Sequence, residues 1–378
     1  MREDENMVAG IHRNAQAIVD LGAIKQNVEL EMNRLAKGQE LFAVVKADAY
    51  GHGMLEVAKT AKEAGATGFC VAIIDEGLAL REAGFDDLVL ILGVNPADQA
   101  CLMAQNDLSV AVGDLEFLQT AAPLLAQKSL KLKVHLAVDT GMGRIGFTNE
   151  ADVKAAEQFI AEHQEQFVFE GIFTHFACAD TQDMSYYQVQ ITKFNQLKKA
   201  LTRLPKYVHV ANSAAAMWHQ DCGGNAIRYG ITMYGLNPSG RELTLPVAIK
   251  PAFSLESELV LVRKLAKGSG IGYGKTYTLD EDAYIGTVPL GYADGWLRRM
   301  QGFKVLIEGQ YCPIVGRICM DQFMVKLPKA FKKGTKVTLI GQNGDKTITA
   351  QDAADYARTI HYEILCNISQ RVPRIYHK

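Results

Sequence analysis

From residue 41 to about residue 235, short apolar runs alternate with longer stretches in which apolar residues recur three and four positions apart. The longer stretches predict amphipathic helices. The short runs are apolar almost throughout, which is typical of strands buried on both faces of a parallel sheet. The eight runs are LFAVVK (41–46), GFCVAI (68–73), LVLILG (88–93), LSVAVG (108–113), KVHLAVD (133–139), VFEGIFTH (168–175), YVHVAN (207–212) and NAIRYG (225–230).

Eight strand–helix units in succession predict a closed (β/α)8 barrel, the TIM-barrel architecture. An open, doubly wound sheet is the alternative, because periodicity alone does not count strands reliably. In a closed barrel of this kind, the functional residues lie at the carboxyl ends of the strands. We therefore expect the chemistry at the residues that end or follow the eight runs.

After about residue 245 the pattern changes to β-type runs that are separated by turn residues, with an NGD hairpin signal at 343–345. The chain is therefore predicted to form an α/β barrel over residues 1–245 and a mainly antiparallel β domain over residues 246–378. The early run NAQAIVDL (14–21) is a candidate strand of the second domain, which would make that domain discontinuous.

Composition narrows the function classes. The chain has 378 residues and a formal net charge of -2, with no basic stripe of the kind that binds nucleic acid. No apolar stretch reaches the length of a membrane span, and the first residues lack the apolar core of a secretory signal. The seven cysteines are scattered and form no C-x-x-C pair, which favours reduced thiols over disulfides or a zinc site. We therefore expect a cytoplasmic protein.

Lys46 ends the first run, where chemistry is expected. A lone lysine at a barrel rim usually extends into water. Burial, however, disfavours the charged form and yields the neutral amine that imine formation or proton abstraction requires. Pyridoxal 5'-phosphate is the cofactor that most commonly uses such a lysine. Its phosphate is expected beside the loops that follow strands seven and eight.

Those two loops read ANSAAAM and RYGITMYG. Asn212 and Ser213 resemble the N-cap of a helix, whose free N–H groups attract phosphate. Gly230 permits close approach of the backbone. Arg228 ends the eighth run, where a permanently protonated guanidinium can donate to a pyridine nitrogen, although a surface ion pair is an equal alternative.

Three histidines lie within or at the ends of the strand runs: His135, His175 and His209. A lone histidine in a strand is usually a satisfied core residue. His175 and His209 are placed to support Arg228 by hydrogen bonding, and no companion ligand at a regular spacing indicates a metal site. Arg144 lies in a glycine-rich turn, DTGMGRIGF, that lacks a nucleotide-binding spacing, and it can bind a carboxylate in bidentate fashion.

Together these motifs resemble the alanine racemase family of pyridoxal-phosphate enzymes, which supply D-alanine for bacterial peptidoglycan. The resemblance extends in order over nearly the whole chain, and its most specific part follows residue 245, because related barrels lack this domain. The motifs that carry it are AVVKADAYGHG, DTGMGRIGF, THFACAD, ANSAA, RYGITMYG, GYGKTY, VPLGYADGW and GRICMDQ.

The resemblance implies a head-to-tail homodimer in which each active site is completed by the β domain of the other subunit. Lys46 would be the Schiff-base lysine and the base for D-alanine, and the partner subunit's Tyr273 would be the base for L-alanine. Arg228 would bind the pyridine nitrogen with support from His175 and His209. The remaining implied contacts are the phosphate (Tyr50, Ser213, Gly230, Ile231 and Tyr362), the substrate (Arg144, Met320 and Asp321) and the access corridor (Tyr292). Asn212 is predicted to be a cofactor-binding residue from its N-cap pattern alone.

One position departs from a common family pattern. Many members carry a carbamylated lysine in strand five that is salt-bridged to the arginine of the glycine-rich turn. This chain has Ala137 at that place. We therefore expect no CO2-dependent lysine modification, and water, a bound anion or another side chain remain alternatives for holding Arg144.

Three other functions share parts of this pattern. A racemase with a broader range, including serine, would have the same cofactor and base motifs. A pyridoxal-phosphate carrier without catalysis would need neither Tyr273 nor residues 246–378. A decarboxylase on the same barrel would release CO2 from a basic amino acid, which a simple assay distinguishes.

Overall fold

The structure is a computed structural model that describes residues 8–219 and 222–378. The chain divides into two compact units. The barrel unit comprises residues 23–49 and 54–250. The β unit comprises residues 8–22, 50–53 and 251–378.

Strand β1 (Ala15–Asp20) precedes the barrel in the chain and belongs to the β unit. The barrel consists of eight parallel strands, each paired with the next, and β9 pairs with β2 to close the ring. Closure confirms the predicted (β/α)8 barrel and excludes the open sheet. The strands are β2 (Glu40–Val44), β3 (Gly68–Val71), β4 (Leu88–Ile91), β5 (Ser109–Val112), β6 (Leu132–Ala137), β7 (Phe167–Phe173), β8 (Tyr207–His209) and β9 (Ala226–Tyr229).

Helices follow the barrel strands, and side-chain caps define where several of them begin. Asp114, Asn149 and Asn212 each accept a backbone N–H of the first turn of the helix that they precede. The helices are α1 (Leu21–Met32), α2 (Lys46–Gly51), α3 (Met54–Glu63), α4 (Ile74–Glu82), α5 (Ala100–Gln105), α6 (Leu115–Lys128), α7 (Glu150–Glu162), α8 (Ser185–Lys199) and α9 (Ser213–Trp218).

The β unit is a sheet in the order β11-β14-β17-β16-β15-β18-β10-β1-β20, and among its described strands only the pair β1–β20 is parallel. This confirms the mainly antiparallel second domain. Its elements are β10 (Phe253–Glu258), β11 (Leu261–Leu265), β12 (Gly270–Ile271), β13 (Tyr277–Thr278), β14 (Ala283–Val288), β15 (Lys304–Ile307), β16 (Gln310–Val315), β17 (Phe323–Leu327), β18 (Lys336–Asn343), β19 (Lys346–Ile348), β20 (Arg374–His377), α10 (Ala350–Ala357) and α11 (His361–Cys366).

The unit boundaries differ from the ranges assigned from the sequence. Strand β1 lies between β10 and β20, so its backbone hydrogen bonds draw residues 8–22 out of the barrel unit. Residues 50–53 also belong to the β unit, and the barrel unit extends to residue 250. In the two described ranges, none of the helices has the length and apolarity that crossing a membrane requires.

Candidate active site

A cavity of about 330 Å³ lies where the barrel strands end at their carboxyl termini. Its walls come from residues at or after the ends of six strands, as expected for a barrel of this type. The polar and ionisable residues of that wall are Lys46, Asp139, Arg144, Thr174, His175 and Arg228. Ala137 also lines the cavity.

Arg228, at the end of β9, is buried and held by several acceptors. Its Nη1 donates to the carbonyl oxygen of His209 at 2.7 Å and to His209 Nδ1 at 2.8 Å. Its Nη2 donates to the carbonyl oxygen of Thr174 at 2.8 Å and lies 3.4 Å from His175 Nδ1. Burial lowers the pKa of Arg228 to about 10, so the guanidinium remains protonated near neutral pH.

The two histidines that contact Arg228 are neutral. Burial, reinforced by the positive charge of Arg228, holds the pKa values of His175 and His209 well below the usual range. The His209 ring also stacks on the Phe173 ring with centroids 4.9 Å apart, and the guanidinium of Arg228 lies over the Phe173 ring. In this cluster the positive charge is therefore carried by Arg228 and not by the two histidines.

Lys46 begins α2, which is a left-handed turn. The φ angles of Ala47, Asp48, Ala49 and Tyr50 all lie between 50° and 54°. Left-handed helical backbone costs roughly 1–2 kcal/mol for each L-residue, so four in succession are a strained feature.

Local hydrogen bonds hold this strained segment. Ala47 N donates to Glu76 Oε1 at 2.6 Å, and Ala49 N donates to the carbonyl oxygen of Val45 at 2.8 Å. The Asp48 carboxylate accepts from Met54 N at 2.7 Å. Side-chain and backbone bonds on both sides of the turn therefore fix the direction in which Lys46 leaves the end of β2.

The two loops predicted to bind phosphate are joined to each other. Asn212 caps α9 by accepting from Ala215 N at 3.0 Å. The next residue, Ser213, accepts a hydrogen bond from Gly230 N at 2.8 Å. Ser213 and Ile231 are buried. The loops after β8 and β9 are therefore linked through the Ser213 hydroxyl.

Arg144 lies in a loop that is ordered by Asp139. The Asp139 carboxylate accepts backbone N–H groups of Gly141, Gly143 and Arg144 at 2.8–3.1 Å. Although burial acts to raise it, these donors lower the pKa of Asp139. Within the described ranges, no side-chain hydrogen bond or ion pair holds the Arg144 guanidinium. Ala137 lines the same cavity with a methyl group, and a longer side chain at this position would extend into the cavity.

Tyr273 is carried by the β unit and is 67% exposed. It lies in a tight turn, in which Gly272, Gly274 and Lys275 all have positive φ. A Cβ at Gly274 would lie 3.1 Å from Arg317 Nη1, so glycine lets this turn pack closely against Arg317. The turn presents the Tyr273 side chain to the surface of its unit.

The other predicted site residues of the β unit form two groups. Tyr292 and Met320 are exposed neighbours, since Tyr292 N donates to the carbonyl oxygen of Cys319 at 3.1 Å. Asp321, next in the chain, forms an ion pair with Arg371 at 2.7 Å. Tyr50 and Tyr362 form the second group, with ring centroids 5.9 Å apart.

The barrel unit thus brings together Lys46, Arg144, His175, His209, Asn212, Ser213, Arg228, Gly230 and Ile231, whereas Tyr50, Tyr273, Tyr292, Met320, Asp321 and Tyr362 belong to the β unit. Across residues 8–219 and 222–378, no three His, Cys, Asp or Glu side chains are grouped as metal ligands.

Sequence reasoning did not assign His135 or Glu170 to the site. His135 bonds directly to His209, and Glu170 bonds to His135. A strand histidine carries no signal of its partner, because the partner depends on strand register. The glutamate in the otherwise apolar run VFEGIFTH was the available clue.

Comparisons with known proteins identify one family. The profile of the alanine racemase N-terminal domain matches residues 19–238, and that of the C-terminal domain matches residues 252–376. An alanine racemase of Ligilactobacillus salivarius is 63% identical over 98% of this chain and 100% of its own length.

Solved structures give the same result. The crystal structure of alanine racemase from E. faecalis aligns with a TM-score of 0.96 at 52% identity, over 98% of this chain and 100% of that chain. A histidine racemase from Leuconostoc mesenteroides aligns with a TM-score of 0.92 at 34% identity, over the same shares.

Proposed function

The chain belongs to the alanine racemase family, and from this premise we propose that it interconverts L-alanine and D-alanine with pyridoxal 5'-phosphate bound in the barrel cavity. It is an isomerase of the racemase class, and its product serves bacterial peptidoglycan. The observation that carries the proposal is that Lys46 and the buried, protonated Arg228 line one cavity at the carboxyl ends of the strands.

The chemistry of the cavity wall fits this cofactor. Lys46 supplies an amine for its aldehyde, and Arg228 supplies a donor that does not release its proton to the ring nitrogen. When bound, pyridoxal phosphate supplies an electron-withdrawing ring that makes the Cα hydrogen of alanine acidic. We assign its phosphate to the joined loops of Ser213 and Gly230, with Asn212 as the cap of the helix there, and to the other positions that the family pattern implies, namely Tyr50, Ile231 and Tyr362.

Racemisation requires a base on each face of the substrate. We assign Lys46 to one face, where it removes or returns the proton of D-alanine. The partner subunit's Tyr273 takes the opposite face and handles the proton of L-alanine. The exposure of Tyr273 on its own unit supports this assignment, because a side chain that serves a second subunit must be accessible.

The substrate carboxylate is assigned to Arg144, whose loop is ordered by Asp139 while its guanidinium retains its donors. Met320 and Asp321 complete the substrate contacts, and Tyr292 lies in the access corridor. These assignments require a homodimer with shared active sites. We propose the cytoplasm as its location, which the seven cysteines support, since none of them forms a disulfide within the described residues.

A simple assay tests this function. Purified protein with pyridoxal phosphate should be yellow, lose its absorption band on borohydride treatment, and convert D-alanine to L-alanine. Lys46→Ala should abolish both the band and the conversion. Lys62→Ala, which removes a surface lysine paired with Asp87, should preserve both.

The substrate range is tested by comparing alanine with serine and histidine. We expect alanine to give the highest kcat/KM. Faster turnover of serine or histidine would replace the alanine assignment with a broader racemase, and absence of any racemisation with the cofactor bound would favour a carrier protein.

A further inference from the structure

Behind Arg228, a chain of hydrogen bonds runs through the barrel core. His209 Nδ1 contacts Arg228, and His209 Nε2 lies 2.8 Å from His135 Nδ1. His135 Nε2 lies 2.9 Å from Glu170 Oε2, which also accepts the Ser109 hydroxyl. Both imidazoles are fully buried. These hydrogen bonds connect the cationic Arg228 at the cavity to the anionic Glu170 within β7.

The hydrogen bonds of this chain have only one consistent direction. A guanidinium has no acceptor, so His209 Nδ1 must accept from Arg228. Neutral His209 therefore carries its proton on Nε2 and donates it to His135 Nδ1. His135 in turn carries its proton on Nε2 and donates it to Glu170. One carboxylate thus determines the tautomers of two histidines.

The backbone around Glu170 is shaped for this contact. The register of β6 against β7 shifts so that Val134 pairs with Phe169 and His135 with Gly171, which leaves Glu170 as a β-bulge. Bulges redirect a side chain and are frequent near active sites. A Cβ at Gly171 would lie 2.2 Å from His135 Nδ1, so only glycine leaves room for this imidazole.

We propose that His135 and Glu170 are positioning residues for the racemase, which hold His209 in its Nε2-protonated form so that it accepts from Arg228 and keeps that guanidinium oriented toward the cavity. The kinetic part of this inference rests on the proposed function. The tautomers themselves are a property of the folded chain and can be measured without turnover.

The electrostatics of the four groups support this role. Although burial acts to raise it, hydrogen bonding from His135 holds the pKa of Glu170 below its usual value, so the acceptor remains ionised. Burial lowers the pKa of His135, so the imidazole remains neutral. Unpaired buried polar groups are costly, whereas a complete network specifies one arrangement. Without Glu170, the proton of neutral His135 could lie on Nδ1 and be donated to His209 Nε2. The proton of His209 would then lie on Nδ1 and face the N–H donors of Arg228.

The tautomers can be measured by long-range ¹H–¹⁵N correlation spectra of cofactor-free protein with ¹⁵N-labelled histidine. We expect His135 and His209 to be protonated on Nε2 alone, with signals assigned from single histidine-to-glutamine variants. Glu170→Ala should shift His135 toward Nδ1 protonation. Glu170→Gln retains an oxygen acceptor and should preserve the wild-type pattern.

Kinetics of the cofactor-loaded protein complete the test. We expect Glu170→Ala to lower kcat about tenfold with KM for alanine within about twofold, and Glu170→Gln to remain within about threefold of wild type. Glu157→Ala is the matched control, because Glu157 is also a buried carboxylate but caps backbone N–H groups of Thr202 and Arg203. It should change stability without changing the histidine spectra.

Protonation of His209 on Nδ1 in the wild type, or unchanged tautomers in Glu170→Ala, would overturn the positioning role. A loss of kcat in Glu157→Ala equal to that in Glu170→Ala would also overturn it, because the effect would then follow from stability alone. Failure of the wild type to racemise alanine, with the tautomers as expected, would instead contradict the proposed function.

Discussion

At the scale of single residues, the site depends on which groups are charged. Arg228 remains a cation although it is buried, because five acceptors surround it, whereas the two histidines beside it are neutral. In the proposed complex, a guanidinium beside the ring nitrogen would not transfer its proton, which would limit the electron withdrawal by the cofactor. Under that proposal, arginine at this position favours proton exchange at Cα over transamination.

Arg228→Glu tests this consequence. A carboxyl group can share a proton with the ring nitrogen, so the variant should form more pyruvate by transamination for each racemisation event. The ratio of pyruvate to D-alanine formed from L-alanine is the measurement. Arg228→Lys, which keeps a cation, serves as the control, and an unchanged ratio in the glutamate variant would contradict the argument.

Glu31 in α1 gives a pH prediction at the same scale. Burial raises its pKa to about 7, despite a hydrogen bond from Arg34 at 2.8 Å. The folded state then binds a proton more tightly than the unfolded chain between about pH 4.5 and 7, so this group lowers stability as pH rises through that window.

Between pH 5 and 8, titration of Glu31 should lower the unfolding free energy of the wild type by about 2–3 kcal/mol. Glu31→Gln should abolish this decrease. Denaturant titrations at the two pH values measure the change. Glu29→Gln is the control, because Glu29 is half exposed on the same helix. Equal pH dependence of wild type and Glu31→Gln would show that Glu31 titrates normally in the folded chain.

At the scale of elements, the left-handed turn α2 is the least expected feature. It follows β2 directly and carries four non-glycine residues with positive φ. The segment is rich in alanine, which favours right-handed helix on propensity alone. Backbone N–H groups donate to the Glu76 carboxylate, the Val45 carbonyl oxygen and the Asp48 carboxylate, and these hydrogen bonds stabilise the strained alternative. Strain of this kind is tolerated where it positions a functional group, here the amine of Lys46.

Ala47→Gly tests the strain. Ala47 is exposed, so the substitution removes little packing and relieves a left-handed residue. We expect unfolding free energy to rise by about 0.5–1 kcal/mol. Ala155→Gly, at an exposed position of α7, should instead lower it by about 1 kcal/mol. The same sign for both variants in denaturant titrations would argue against a strained turn.

At the scale of the whole molecule, the two proposed bases belong to different units. Lys46 lies in the barrel unit and Tyr273 in the β unit. A homodimer with shared sites would join the Lys46 of one subunit to the partner subunit's Tyr273. Mixing two inactive chains distinguishes this arrangement from a site within one chain.

Lys46→Ala and Tyr273→Phe chains should each be inactive alone. After refolding together in equal amounts, they should recover about a quarter of wild-type activity, since half of the dimers are mixed and each has one intact site. Equal mixtures of differently tagged wild-type chains control for exchange. Efficient exchange without recovery would contradict shared sites.

The sequence by itself determined the eight barrel strands, the change to an antiparallel domain after residue 245 and the residues at the strand ends that carry chemistry. These features follow from local hydrophobic periodicity and from residue type, both of which are readable without contacts. The sequence also assigned Lys46 to the end of the first run and Arg228 to the end of the eighth, and the pairing of β2 with β9 makes these two strands neighbours.

Only the tertiary structure decided the rest. The bulge at Glu170 and the pairing of His135 with His209 depend on strand register, which is set by packing between residues far apart in the chain. The left-handed turn after Lys46 contradicts local propensity, and one of its backbone N–H groups is satisfied by the carboxylate of Glu76, 29 residues from Ala47 in the chain. The sequence suggested that residues 14–21 pair with the second domain, but the place of β1 between β10 and β20 depends on backbone hydrogen bonds to strands more than 200 residues later.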